Sequence, residues 1–369
     1  MVIEQLGSLF RVRSGDGISI ANLNAFGTYP VYGGNGVNGY TSKYNVENET
    51  MVIGRVGEKC GNVNVTQSRS WVSDNALIVT PKAKYDIGYM RYLLEQINLN
   101  DYANRNAQPV ISGQIIYAIE TPYVEDIEEQ VIIAHNLRSF DIYIDDLAEL
   151  IEKKRGIREG ALEDLMCQRT RLNDYSREWE EVQLSEICKV YDGTHQTPKY
   201  TLQGIRFVSV ENILDLYSSN KYISQTAYES DFKAYPEKGD ILMTRIGDIG
   251  TPCVVDRDEP LAYYVSLALL KNITINSYFL NYYIMSSGFQ RELDDRSLHH
   301  ATPKKINKGE IGKCKVKYPK DADEQAAIAN ILRSMDEEIE ALEIERDKMI
   351  QIREGAMDDL LTGRVRLSV

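Results

Sequence analysis

One stretch of this chain occurs twice. Residues 129–172 and 324–367 align without a gap at a constant offset of 195, and roughly twenty of the 44 paired positions are identical. The identities include Glu129 and Gln130 against Glu324 and Gln325, Asp141 against Asp336, the run IREGA, and a closing Arg-x-Arg-Leu. Weaker echoes precede each copy: LGSLFRVRSG against LSEICKVYDG, VIGRVGEKCGNVNV against LMTRIGDIGTPCVV, and AQPVIS against ATPKKIN. The chain therefore reads as two diverged halves.

Both repeat segments are rich in Leu, Ile, Glu and Ala and free of proline beyond their entry, which predicts helices. Leu137, Phe140, Ile144, Leu147 and Ile151 fall at steps of three and four, as do Leu332, Met335, Ile339 and Leu342. That heptad spacing predicts an antiparallel coiled coil, with docking of each helix on its own domain as the alternative. About forty helical residues rise about 60 Å, a rod able to hold two modules apart. Residues 1–124 and 173–320 instead carry short β-rich runs between Gly, Asn, Asp and Pro turn signals. The expected architecture is α+β: two modules with twisted sheets at 1–124 and 173–320, and helical regions at 125–172 and 321–369.

A chain of 369 residues has room for two or three domains. Its five cysteines are scattered and never fall as Cys-x-x-Cys, which disfavours a disulfide framework or a zinc ribbon and suits a reducing cytoplasm. No apolar run approaches bilayer-spanning length, and no signal-like leader opens the sequence, so a soluble cytoplasmic protein is expected. The formal net charge of −13 is unevenly placed. By segment it is 0 for 1–124, −5 for 125–172, −1 for 173–320 and −7 for 321–369, so the helices hold nearly all of it. Two neutral modules that cluster basic side chains locally remain compatible with a nucleic-acid partner, because phosphate attraction acts over about 10 Å at ordinary salt.

Catalytic signatures are missing. Adenine methylation uses an Asn/Asp-Pro-Pro-aromatic motif, and no two prolines are adjacent here. The nearest string to a P-loop, GEIGKCK, has the wrong spacing and a cysteine where the Mg²⁺-binding hydroxyl belongs. The four histidines, His135, His195, His299 and His300, show no metal-ligand spacing, and the adjacent pair reads as a surface loop.

The entry Pro319…Glu324-Gln325, the close LLTGRVRL, YPVYGGNGVNGY in the first module and GTHQTPKY…GIRFVSVENI in the second resemble the specificity subunits of type I restriction-modification systems. The resemblance covers essentially the whole chain, which is short for the family and opens its first module almost at Met1. It implies a non-catalytic subunit that reads the two halves of a split double-stranded DNA site with two target recognition domains. Two methyltransferase subunits using S-adenosylmethionine, and restriction and translocase subunits using ATP and Mg²⁺, would be its partners; no cofactor is expected in this chain. A structural adaptor joining two ligand-binding β modules without DNA is the rival reading.

Candidate DNA contacts follow from residue type. In the glycine-rich run of the first module, Tyr32, Asn35, Asn38, Tyr40 and Lys43 suit close backbone approach and adenine readout, although a plain glycine-rich hairpin fits the same letters. In the second module, Thr194, His195, Gln196, Thr197, Lys199 and Tyr200 form a polar run after a glycine, a contact loop or an ordinary solvated one. Arg55 and Arg245 occupy equivalent Arg-x-Gly turns, where a guanine or phosphate contact competes with an internal salt bridge. Seven lysines against one glutamate in 303–320 point to phosphate contacts by Lys304, Lys305 and Lys308. Arg69 with Trp71, and Arg105 with Asn106, are further basic candidates. The repeated helix ends supply candidate partner-docking residues: Arg158, Glu159, Arg169 and Arg171 in the first copy, and Arg353, Glu354, Arg364 and Arg366 in the second.

Overall fold

The computed structural model describes residues 1–19, 23–24, 27–105, 108–173 and 175–367. The chain divides into two compact units, 1–149 with 343–369, and 150–342. Four helices organise them: α1 (Ile87–Ile97), α2 (Ile127–Met166), α3 (Ser277–Met285) and α4 (Ala322–Thr362). The two long helices each contribute one segment to each unit.

In the first unit, strand Phe10–Ser14 pairs with Ala76–Pro81, which pairs with Met51–Gly54, which pairs with Val63–Val65, all antiparallel. In the second, Lys189–Asp192, Leu267–Lys271, Ile241–Ile246 and Asp248–Val254 follow the same order and sense. Continuous apolar runs such as Met51–Ile53 and Ile241–Met243 make the central strands, because both of their faces are covered. Each unit also closes its module with an antiparallel pair, Val2–Gln5 with Glu120–Tyr123 and Trp179–Gln183 with Lys315–Pro319. The second sheets differ: three strands in the first unit and four in the second, each with one parallel pairing.

The long helices run antiparallel within each unit. In the first, Tyr143 reaches Glu345 while Asp141 reaches Arg353; in the second, Lys154 reaches Glu338 while Arg158 reaches Asp336. The heptad positions Leu137, Leu147, Ile151, Leu332 and Ile339 are buried, as the spacing requires. Each pair also packs on its module through the shorter helix. Tyr89, Tyr92 and Leu93 of α1 share a core with Ile133, Leu137, Leu360 and Leu361. Phe279 and Tyr282 of α3 share one with Leu162, Leu165, Ile328 and Leu332. Both seam packing and docking on the module therefore occur. Among the described residues no helix is long and apolar enough to cross a membrane.

Candidate nucleic-acid interface

In the second module, three segments far apart in sequence meet at one aspartate. Strand Lys189–Asp192 ends at Gly193, where a Cβ would lie 2.4 Å from the Tyr263 carbonyl oxygen, so only glycine lets the chain cross there. The following loop is pinned at its base, with the Thr194 amide donating to Tyr263 O at 3.2 Å and the Val265 amide to Thr194 O at 3.0 Å. Asp192 accepts from Arg245 Nη1 at 2.9 Å and lies 3.7 Å from Lys308 Nζ. Tyr191–Gln196, Asp231, Lys233 and Lys308 line an open cleft of 510 Å³. His195, Gln196, Thr197, Lys199 and Tyr200 are exposed along the loop, and the Tyr200 ring meets Phe207 edge-on at 5.7 Å.

Arg245 is 5% exposed and its guanidinium is committed inward, donating also to the Ile306 and Val265 carbonyls. Of the two roles open to it, the internal salt bridge is the one the geometry realises. It fastens the Thr194 loop and the lysine-rich segment to one strand end. Within that segment, Lys304 is ion-paired with Asp294, whereas Lys305 is exposed and Lys308 more than half so. The exposed basic groups on these segments and the cleft wall include Lys199, Lys233, Lys305 and Lys308.

The first module repeats the backbone of this arrangement with weaker side-chain chemistry. The Ile111 amide donates to Arg55 O at 3.0 Å as Ile306 does to Arg245 O, and the Gly57 amide to Pro109 O at 2.9 Å as Gly247 does to Lys304 O at 2.8 Å. Among the described residues Arg55, however, has one side-chain hydrogen bond, to the Ser14 hydroxyl at 3.2 Å. The glycine run forms a hairpin, Tyr29–Gly33 against Gly36–Thr41, with Asn35 at its tip. Tyr32 is buried, its hydroxyl accepting from the Gln67 amide, so it faces the core; Asn35, Asn38, Tyr40 and Lys43 are exposed. Arg69 adopts φ 56°, with its guanidinium 5.9 Å from the centre of the Tyr44 ring. Trp71 Nε1 donates to Asp16 O, and Arg105 donates to Asn100 Oδ1. Asn106 lies outside the described residues.

The repeated helix ends form two equivalent clamps. In the first unit Arg353 donates to Asp141 at 2.5 Å, and Tyr92 of α1 donates to the other Asp141 oxygen at 2.5 Å. In the second unit Arg158 donates to Asp336 at 2.8 Å and Tyr282 of α3 to the same carboxylate at 2.6 Å. Burial first, and then the aspartate hydrogen bond, push both tyrosine hydroxyls well above their ordinary pKa, so both remain donors.

A second tie completes each clamp. Buried Glu129 accepts a fork from Arg366, and buried Glu324 a fork from Arg171 at 3.0 Å on each arm. The Arg366 hydrogen bond holds the Glu129 carboxyl below its ordinary range. Gln130 accepts from the Asp86 amide and donates to Val124 O; Gln325 does the same with Asn276 and Pro319. Asp86 and Asn276 are themselves the N-caps of α1 and α3. Thus Arg158, Arg171, Arg353 and Arg366 have internal partners, Arg169 and Arg364 pair with Asp164 and Asp359, and Glu159 and Glu354 are exposed.

A family model described as type I restriction modification DNA specificity domain matches residues 1–154 and 176–350. The chain belongs to this family. The specificity-domain chain is 31% identical over 153 residues to the type I restriction enzyme EcoprrI specificity subunit of Escherichia coli, covering 40% of this chain and 38% of that protein. It is 26% identical over 283 residues to the MjaVIII specificity subunit of Methanocaldococcus jannaschii, covering 70% and 65%. The matched regions thus span less than two thirds of either relative. The fold is that of the type I restriction-modification system S subunit from M. genitalium, with TM-score 0.67 at 20% identity over 98% of this chain and 96% of that one.

Sequence reasoning overlooked the residues that organise this family member's sites: Asp192, Tyr92 and Tyr282. Asp192 had a signal, since it stands before the glycine in the echo LSEICKVYDG, where Ser14 stands in LGSLFRVRSG. The tyrosines lie outside the gapless repeat, so no constant offset pairs them. Among the described residues no group of three or more His, Cys, Asp or Glu side chains is placed to hold a metal ion.

Proposed function

We propose that this chain is the non-catalytic specificity subunit of a type I restriction-modification complex. Its modules, 1–124 and 173–320, read the two halves of a split duplex site, and its helical regions, 125–172 and 321–369, dock two adenine-N6 methyltransferase subunits. Restriction and translocase subunits join through these. The match of one specificity-domain model to both halves of the chain carries the reading. S-adenosylmethionine, ATP and Mg²⁺ belong to the partner subunits.

The second module supports a division of labour in DNA reading. Lys199, Lys305 and Lys308 meet phosphates, which position the module without carrying sequence information. Gln196 and His195, on a loop pinned at both Thr194 hydrogen bonds and braced by Asp192–Arg245, read base edges. In the first module the same tasks fall to Asn35, Asn38, Tyr40, Lys43 and Arg69.

Mapping N6-methyladenine in a host expressing this subunit with its methyltransferase tests the reading. Methylation at one interrupted motif, moved to a new motif when Gln196 and His195 are replaced together, is the expected result. An unchanged methylation pattern on deleting the chain would reject it, and the absence of salt-sensitive binding to duplex DNA would favour the adaptor alternative.

A further inference from the structure

The two clamps agree in their arginine, aspartate and tyrosine but differ in a fourth member. Glu95 and Met285 each stand nine residues past the N-cap of their helix, α1 or α3, and Arg91 and Asn281 each stand five past it. In the first unit Glu95 supplies a carboxylate: Arg353 Nη2 donates to one oxygen at 2.7 Å, and Arg91 Nη2 lies 3.7 Å from the other. In the second unit the same place holds a thioether. Arg158 Nη2 and Asn281 Nδ2 both point at Met285 Sδ, at 3.8 and 3.9 Å.

A thioether sulfur is a weak acceptor, whereas a hydrogen bond from arginine to a carboxylate is charge-assisted and roughly twice as strong as a neutral one. Two nitrogen donors from different helices therefore converge on an atom that serves them poorly. Nor does the buried Oδ1 of Asn281 have a hydrogen-bond partner among the described residues. The polar chemistry that the first unit completes from its own side chains is left incomplete in the second.

This donor pair opens onto a cavity of 720 Å³, a size that suits a small molecule. Leu214, Tyr217 and Tyr278 give its wall apolar surface, and Leu214 is 89% exposed. Four cations and four carboxylates line it, so its overall field selects neither sign. Selection falls to the local donors. Met285 is unbranched and 37% exposed at the wall, so its side chain swings away from them without disturbing a core.

We propose that the second unit binds a small carboxylic acid here. Its carboxylate takes the donors of Arg158 and Asn281 as Glu95 takes those of Arg353 and Arg91, and its apolar body lies along Leu214, Tyr217 and Tyr278. The first unit carries its own carboxylate on a side chain; the second takes one from solution. Bound there, the acid bridges α2 to α3 and gives the clamp the strong acceptor that Met285 does not provide.

Isothermal titration calorimetry of the full chain with phenylacetate tests this. One molecule per chain is expected to bind, and Met285→Glu, which installs the first unit's own solution, should weaken binding about tenfold or more. Met285→Ala leaves both donors in place and should bind at least as well as wild type, so a loss in Met285→Glu reports occupied donors and not a damaged fold. Phenylacetate at about ten times its Kd should slow amide exchange in α3 about tenfold and leave α1 unchanged. No binding to wild type, or binding unaltered by Met285→Glu, would overturn the proposal. Equal binding of benzyl alcohol would remove the role of the carboxylate, and equal binding of inorganic phosphate that of the apolar wall; either result would overturn it as well.

Discussion

The two Arg-x-Gly turns occupy the same place in the two modules and have come to do different amounts of structural work. Arg245 is buried, salt-bridged to Asp192 and bonded to two carbonyls; Arg55 is half-buried and meets one serine hydroxyl. The helix ends behave oppositely, since Arg158–Asp336–Tyr282 and Arg353–Asp141–Tyr92 reproduce one another residue for residue. In the clamps the side-chain chemistry has been kept. At the Arg-x-Gly turns only the backbone arrangement has been kept and the side-chain partners have drifted.

Replacing Arg245 by Ala should give the largest effect, because it leaves Asp192, at a partly buried position, with only the longer contact to Lys308 at 3.7 Å. Removing one partner of such a pair costs about 3–5 kcal/mol. Amide exchange of the strand Ile241–Ile246 is expected to accelerate accordingly, with Met51–Gly54 of the other unit unchanged. Loss of less than about 1 kcal/mol would mean that the Asp192–Arg245 bridge does not hold the module together.

Next come the clamps, where equality rather than size is the point. Arg158→Ala and Arg353→Ala should each destabilise their own unit by about 2 kcal/mol, by breaking an ion pair and a contact with a tyrosine ring. Exchange in α3 reports the first substitution and exchange in α1 the second. Effects differing by more than about 1 kcal/mol would break the equivalence of the two clamps.

How much of this was legible beforehand depended on which contacts the repeat encodes. The gapless offset, the heptad seam and the alternation of modules and helices could be read directly, because each is a period or an identity in the letters. The identities could not say why they were kept. Arg158 and Ile157 are adjacent and equally repeated, yet the helix turns one inward to Asp336 and the other into solvent. Likewise Tyr32 and Tyr40 looked interchangeable in a glycine-rich run, and strand alternation with the hairpin register sends Tyr32 into the core. Asp192 and Ile306, two partners of Arg245, lie 53 and 61 residues away, a distance that local patterns do not span.

Charge on the side proposed to face DNA offers a third comparison. Lys305→Ala with Lys308→Ala should lower the slope of log affinity against log salt by about 1.8, since each phosphate contact contributes about 0.9. Binding should weaken alike on all duplex sequences. Lys304→Ala should change the slope less, because Asp294 already neutralises that lysine. An altered methylation motif with an unaltered slope would assign Lys305 and Lys308 to base reading instead.

Acid should distinguish the units through Glu129, whose carboxyl the Arg366 hydrogen bond holds below its ordinary range. A lowered folded-state pKa contributes stability that is present above the unfolded carboxylate value and lost as pH falls through the folded one. Glu129→Gln should therefore flatten the acid limb of stability for the first unit below about pH 4.3, the unfolded value for glutamate. Exchange in Met51–Gly54, followed from neutral pH into acid, checks it; an unchanged limb would show that this pair contributes nothing to acid sensitivity.

The smallest effect should fall on Arg55. Among the described residues its guanidinium makes a single bond, to a neutral hydroxyl, and a net hydrogen bond of that kind contributes about 1 kcal/mol. Arg55→Ala should barely alter exchange in Met51–Gly54. The more revealing change is to rebuild the other module's chemistry here: Ser14→Asp places a carboxylate where Asp192 stands in the second unit. If the backbone equivalence of the two turns extends to side-chain reach, Arg55 will pair with the new aspartate and slow exchange across Phe10–Ser14 and Ala76–Pro81. Arg55→Ala in that background should then cost more than it does in the wild type, and the excess measures the bridge. Equal costs in the two backgrounds would show that the modules differ in loop geometry as well as in the residue before the glycine.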